Sequence, residues 1–382
     1  METLGTETAF EVLAKAKALE KRGKDIVHLE IGEPDFDTPN NIKEAAVKAL
    51  HAGYTHYVSA AGIQELREAI AEYISSTRNI GVDPEEVVVT PGAKPIMFFS
   101  MLALVNPGDE VMYPNPGFPI YESVINFIGA RPAPIPLKEE KDFRFDLENV
   151  QEKITSKTKM IILNSPENPT GGVLTREDLK ALADLIVDKD DVFVLSDEVY
   201  SRIIYEGKHE SIASLPGMKE RTILLEGFSK TYAMTGWRLG YGVMPKDLGQ
   251  KISQLMINSN SCTCAFVQMA GVEALRGPQD EAEGMVAEFK KRREIIVSDL
   301  NNINGVTCRK PRGAFYVFPN ITGTGMSCNK LSDFLLNNAG VAVLPGTAFG
   351  QYGEGYLRLS FANSVPNIKK ALGRMTEAFE RL

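Results

Sequence analysis

Leu224-Leu225-Glu226-Gly227-Phe228-Ser229-Lys230-Thr231-Tyr232-Ala233-Met234-Thr235-Gly236-Trp237-Arg238 carries the reading of this chain. An apolar run suited to a buried strand ends in a glycine, then a small hydroxyl, a lysine and, further on, an arginine. A lysine amine that is desolvated or lies near other positive charge has a lowered pKa and can condense with an aldehyde. Arginine and serine beside it suit a phosphate. The ligand that answers both demands is an aldehyde carrying a phosphate. A bare Ser-Lys…Arg pattern also describes a surface lysine next to an unrelated arginine, so the rest of the chain has to decide.

Outward from this stretch the same grammar recurs. Val87-Val88-Val89, Val111-Met112-Tyr113, Met160-Ile161-Ile162-Leu163, Val192-Phe193-Val194-Leu195 and Leu239-Gly240-Tyr241-Gly242-Val243 are short apolar runs, separated from about residue 86 onward by helical stretches. That alternation predicts an α/β fold with a large, mostly parallel sheet covered by helices. Polar and glycine residues follow the runs: Pro91-Gly92-Ala93-Lys94, Asn164-Ser165-Pro166-Glu167-Asn168-Pro169-Thr170-Gly171 and Asp197-Glu198-Val199-Tyr200. Ligands of open α/β sheets bind beyond the carboxyl ends of the strands, so these loops should converge on one crevice. Ahead of them, residues 8–22 read as an amphipathic helix and Ile26 to Glu30 as a strand. Thr38 is expected to cap a helix with Pro39 at its first position. From about residue 285 the pattern changes to a long charged helix followed by Gly313-Ala314-Phe315-Tyr316-Val317-Phe318. The expected division is a large α/β domain over residues 45–284 and a smaller α+β domain built from 1–44 and 285–382.

Composition bounds the function. The 382 residues are 43% hydrophobic and 24% charged, as in ordinary globular proteins, and the net charge of −8 argues against nucleic-acid or anionic-membrane partners. Lys290-Lys291-Arg292-Arg293 reads as a solvated helix face. Cys262, Cys264, Cys308 and Cys328 have no ligand-like neighbours in sequence, so neither a metal site nor a disulfide frame is expected. With no signal-peptide pattern and no membrane-length apolar run, a cytoplasmic protein is expected.

Asn168-Pro169-Thr170-Gly171, Ser196-Asp197-Glu198-Val199-Tyr200, Ser229-Lys230, Gly236-Trp237-Arg238 and Tyr356-Leu357-Arg358-Leu359-Ser360 occur in that order. Taken together they resemble the class I aminotransferases of the fold-type I pyridoxal-phosphate enzymes, in the aspartate aminotransferase-like branch. Pyridoxal 5′-phosphate is a phosphate-bearing aldehyde. The resemblance implies that Lys230 holds it as a Schiff base and, once freed, moves a proton from the substrate Cα. It implies that Asp197 keeps the pyridine nitrogen protonated, that Tyr200 and Asn168 bond the ring's 3′-oxygen, and that Phe118 stacks on the ring. Gly92, Ala93, Lys94, Ser229 and Arg238 would form the phosphate cup, joined by Tyr57 from a second copy in a homodimer. Arg358, with Asn168 and the backbone at Gly32, would grip the substrate α-carboxylate.

The implied activity moves an amino group from an L-amino acid to a 2-oxo acid. The same fold and lysine also serve β-lyases and aminocyclopropane carboxylate synthases. Regulators that sense the cofactor carry a basic helix-turn-helix domain ahead of the fold, which the acidic charge and the roughly thirty residues before Gly32 do not suggest. Two positions depart from the family. Phe118 stands where a tryptophan is usual, and Glu7 stands where a small hydroxyl would suit an acidic substrate. Lys94 could attract an acidic side chain, while Glu7 would favour a neutral or basic donor.

Overall fold

The computed structural model describes residues 4–189 and 191–381. Its strands are β1 (Val27–His28), β2 (Val87–Thr90), β3 (Glu110–Asn115), β4 (Arg131–Lys138), β5 (Arg144–Phe145), β6 (Thr158–Asn164), β7 (Phe193–Asp197), β8 (Thr222–Gly227), β9 (Gly240–Val243), β10 (Tyr316–Val317), β11 (Val341–Ala342), β12 (Leu344–Pro345) and β13 (Leu357–Ser360). An eight-stranded sheet runs β2-β9-β8-β7-β6-β3-β4-β5. The pairs β8/β7, β7/β6, β6/β3 and β3/β4 are parallel, whereas β9 is antiparallel to both its neighbours.

The central strands are apolar at nearly every position because helices cover both faces. Val88, Ile223 and Leu225 pack with Ile96, Met97 and Phe99 of one helix, while the alternate residues Val87, Val89 and Leu224 pack with Leu66, Ile70 and Ile74 of another. Each such fully buried side chain contributes about 1.5–3 kcal/mol. The helices that matter for the site are α1 (Thr8–Glu20), α2 (Asn40–His51), α3 (Gln64–Arg78), α4 (Lys94–Leu104) and α5 (Ile120–Phe127). A smaller sheet, β10-β13-β12, and the parallel pair β1/β11 lie around a separate core that includes Phe289, Phe315, Leu357 and Phe361.

Three expectations need correction. The helix after Thr38 begins at Asn40, and Thr38 does not cap it. Its hydroxyl donates to the carbonyl of Ala233 at 2.7 Å and accepts from Trp237 Nε1 at 2.9 Å, tying the segment to the loop after Lys230. The run Ile26 to Glu30 pairs only at Val27 and His28, then continues as an extended strap. Arg292 and Arg293 are buried rather than solvated. Arg292 lies 4.8 Å over the Phe36 ring and 2.6 Å from Asp35, and Arg293 donates to the carbonyl of Pro311 at 2.9 Å. Aromatic and carboxylate partners from distant segments turn that face of the helix Asp280–Leu300 inward.

Candidate active site

The register of the central strands sets Asn164 beside Asp197 and Asp197 beside Leu225, so the carboxyl ends of β6 and β7 finish level and β8 runs on to Gly227. They open on a cavity of about 390 Å³. Ala93, Lys94, Phe118, Asn168, Asp197, Tyr200, Ser229, Lys230, Arg238, Gly32 and Arg358 all line it. Residues from the strap and from β13 thus meet residues at the ends of the large sheet.

Lys230 sits in the short helix Phe228–Thr231 directly after β8. Its Nζ donates to the carbonyl of Gly32 at 2.5 Å. Burial pulls the amine down to about 8, with the Glu33 carboxylate opposing. Asp197 closes β7 and is buried. Tyr121 Oη donates to its Oδ2 at 2.6 Å, and the Val199 N–H donates to Oδ1 at 3.3 Å. Burial pushes the Asp197 carboxyl up to about 6, against the pull of the Tyr121 bond.

At the same end of the sheet α4 starts without a side-chain cap, so the Lys94 N–H at its first position is left to an anion, while the Gly92 N–H ahead of it bonds the Thr90 carbonyl at 2.8 Å. Gly92 precedes it at φ +86°, and a Cβ there would come within 2.2 Å of Arg238 Nη2. Gly240 meets a similar demand: a Cβ would stand 2.4 Å from the Ala93 nitrogen, so β9 can carry only glycine where this turn presses on it. Arg238 is itself in the left-handed region at φ +53°, and its Nη1 donates to the carbonyl of Thr235 at 2.8 Å. Strained backbone of this kind is held by its surroundings.

Arg358, on β13, is almost fully buried. Its Nη1 donates to Asn168 Oδ1 at 3.4 Å, its Nη2 to the carbonyl of Glu30, and its plane lies 4.6 Å over Tyr316 and 5.0 Å over Phe349. Burial lowers its pKa, and its Nε is buried without a hydrogen-bond partner. A guanidinium with a donor left over suits an incoming carboxylate. Tyr200 bonds Tyr316, oxygen to oxygen, at 2.7 Å. Glu7 meets Lys94, whose Nζ is 5.3 Å over the Phe118 ring. Tyr57 stands apart from the cavity and is 87% exposed in the single chain.

Tyr121 and Tyr316 are among the lining residues that were missed in the sequence. Tyr121 lies one helical turn after Phe118 at the start of α5, a spacing that could have flagged it. Tyr316 contacts Arg358 and crowds Gly32, where a Cβ would fall 2.1 Å from its hydroxyl, and no local pattern announces it.

Comparison with known proteins decides the family. Residues 24–375 match the model of aminotransferase class I and II. The chain is 44% identical to the aspartate aminotransferase of Pyrococcus horikoshii, over 97% of this chain and 94% of that one. It is 42% identical to the aromatic-amino-acid aminotransferase 2 of Thermococcus litoralis, over 93% of the residues here and 92% there. Its structure matches that of the Thermus thermophilus aspartate aminotransferase with maleate at a TM-score of 0.94, 38% identity, and 99% and 98% coverage. The chain belongs to the class I and II aminotransferases. Membership in that family implies pyridoxal 5′-phosphate, and the cavity fits such a group. It offers a lysine amine at about 8, an uncapped helix N-terminus beside Arg238 with no room for a Cβ at Gly92, and a buried carboxyl.

Proposed function

We propose that this aminotransferase moves the amino group of an L-amino acid to a 2-oxo acid, with pyridoxal 5′-phosphate held around Lys230. The observation that carries the reading is the Lys230 amine, brought down to about 8 in a cavity it shares with Asp197, Arg238 and Arg358. When bound, the cofactor supplies the electron sink that lets a substrate Cα release its proton.

The chain's own residues account for the rest. Ser229, Arg238 and the N–H groups of Ala93 and Lys94 would hold the phosphate, with Gly92, whose N–H bonds the Thr90 carbonyl, leaving room for it. Asp197 would pair with the ring nitrogen, Tyr200 and Asn168 with the ring's 3′-oxygen, and Phe118 would cover one face. Arg358, with Asn168 and the Gly32 backbone, would anchor the substrate α-carboxylate and so aim the Cα hydrogen at Lys230 Nζ. An amine with a pKa near 8 has a useful neutral fraction at neutral pH, which suits Lys230 to take that proton and pass it on.

Tyr57, exposed in the single chain, would complete the phosphate cup of a second copy, which makes the enzyme a homodimer with shared sites. Residues 45–284 would form the cofactor-binding domain, and 1–44 with 285–382 the smaller one. Four cysteines without a disulfide support a reducing cytoplasm. The test is Lys230→Ala: it should abolish both the visible absorbance of bound cofactor and the conversion of donor amino acids. A variant that still transaminates normally would overturn the reading.

A further inference from the structure

The mouth of the cavity holds an arrangement that the proposed reaction leaves unexplained. Glu7 is the residue before α1, where its charge is placed to meet the first N–H groups of its own helix. It makes no hydrogen bond to them. Its carboxylate is engaged with the Lys94 ammonium instead, although the two residues are far apart in sequence. Lys94 is exposed, and its ammonium also lies over the Phe118 ring. Glu7 further shares a small secondary cavity with Arg358. The acid therefore borders both the guanidinium proposed to bind the α-carboxylate and the ammonium at the cavity mouth.

The consequence is electrostatic. A dicarboxylic substrate anchored on Arg358 would seek Lys94 with its distal carboxylate and find another carboxylate already there. Two like charges cannot share that cation without one being displaced. An uncharged side chain meets no such competitor. The walls it would touch, Ala9, Phe10, Ile31 and Phe118, are apolar, and Phe10 is well exposed at the lip.

We infer that Glu7 is a specificity-determining residue: a resident counter-carboxylate that neutralises Lys94 and tunes the site toward amino acids with uncharged, apolar or aromatic side chains, so that dicarboxylates bind only by displacing it. The inference rests on the aminotransferase reading above.

It is tested on the cofactor-loaded enzyme by calorimetric titration with two substrate-like inhibitors, maleate as the dicarboxylate and 3-phenylpropionate as the monocarboxylate. Wild type, Glu7→Gln, Lys94→Met and the double variant are compared. The maleate-to-phenylpropionate ratio of dissociation constants should fall about ten-fold in Glu7→Gln, the order expected from removing one competing charge. It should rise in Lys94→Met, and the gain from Glu7→Gln should be smaller in that background, because part of the Glu7 effect runs through the lysine. Donor assays should follow, with the preference for phenylalanine over aspartate narrowing in Glu7→Gln. An unchanged ratio in Glu7→Gln overturns the inference, as does a double variant that shows the Glu7→Gln gain undiminished. A wild-type enzyme that converts no donor at all strikes the aminotransferase reading itself, whereas an unchanged ratio in an enzyme that does convert donors strikes only Glu7.

Discussion

At the end of β7 the chain sets two carboxyls back to back, in opposite surroundings. Asp197 lines the cavity, its carboxyl bonded among the described residues by only the Tyr121 hydroxyl and one backbone N–H, and burial pushes it up to about 6. Glu198 is buried as deeply, which alone would raise it, yet the charges of His209 and Arg78 hold it down near 2. Ser196 and Ser211 donate to the same carboxylate at 2.9 and 2.6 Å. Arg78 continues the network to Glu226, itself bonded by Ser201 at 2.7 Å and Tyr241 at 3.1 Å. Desolvation is common to both carboxyls, so their partners make the difference. The Glu198 carboxylate is held by the chain's own groups, although His209 Nδ1 is buried without a partner among the described residues, and this side braces the strands, while the Asp197 side is left short of partners, as a ligand site must be.

The largest break in that comparison comes from removing each side's key group in turn. Arg78→Leu strips the cation from two buried carboxylates and should cost about 3–5 kcal/mol of stability, read from denaturant midpoints. Asp197→Asn should leave the midpoint of the cofactor-free protein no lower than wild type. It should nonetheless cut turnover at least about 100-fold, because the charge proposed to oppose the ring nitrogen is gone. An Asp197→Asn enzyme at wild-type rate, or an Arg78→Leu protein of wild-type stability, would dissolve the division of labour.

What could be read from the chain follows the same line. Lys230, Asp197 and Asn168 follow short apolar runs in the sequence, so their convergence was legible from periodicity and the topology of open sheets. Contacts that depend on tertiary approach were not. Thr38 has the form of a helix cap, but its hydroxyl is taken by Ala233 and Trp237, nearly two hundred residues away. Strand β4 hides behind Pro132, Pro134 and Pro136. Proline is tolerated there because alternate residues turn their nitrogens to the same side, and β4 has a ladder with β5 only at Leu137 and Lys138. Arg292 and Arg293 read as a solvated charge run because their partners Asp35 and Glu206 are remote in sequence.

The two carboxyls should also tilt stability with pH in opposite senses. Asp197 binds its proton more tightly folded, at about 6 against 3.8, so its contribution is full at low pH and is lost as pH rises through 6. Glu198 goes the other way, at about 2 against 4.5, so its contribution is present above 4.5 and is lost as pH falls toward 2. Each is on the order of 3 kcal/mol across its window. In cofactor-free protein, the stability of wild type relative to Asp197→Asn should fall as pH rises from 4 to 6. Relative to Glu198→Gln it should fall as pH drops below 4.5. Parallel slopes would mean that the back network does not hold its carboxylate ionised.

The smallest effect isolates a single bond. Tyr121 is fully buried and its hydroxyl is, among the described residues, the one side chain that donates to Asp197, lowering a pKa that burial raises. Tyr121→Phe keeps the ring beside Phe118 and removes that donor. Asp197 should then titrate higher by about one pH unit, roughly 1.4 kcal/mol. Because Asp197 can oppose a protonated ring nitrogen only while ionised, cofactor retention should fail on the acid side at correspondingly higher pH in the variant, measured by equilibrium dialysis across pH 5 to 8. If the acid limbs of variant and wild type coincide, the Asp197 charge is set by depth alone, and the contrast with Glu198 lies wholly in what Arg78 and His209 add on the other side of the strand.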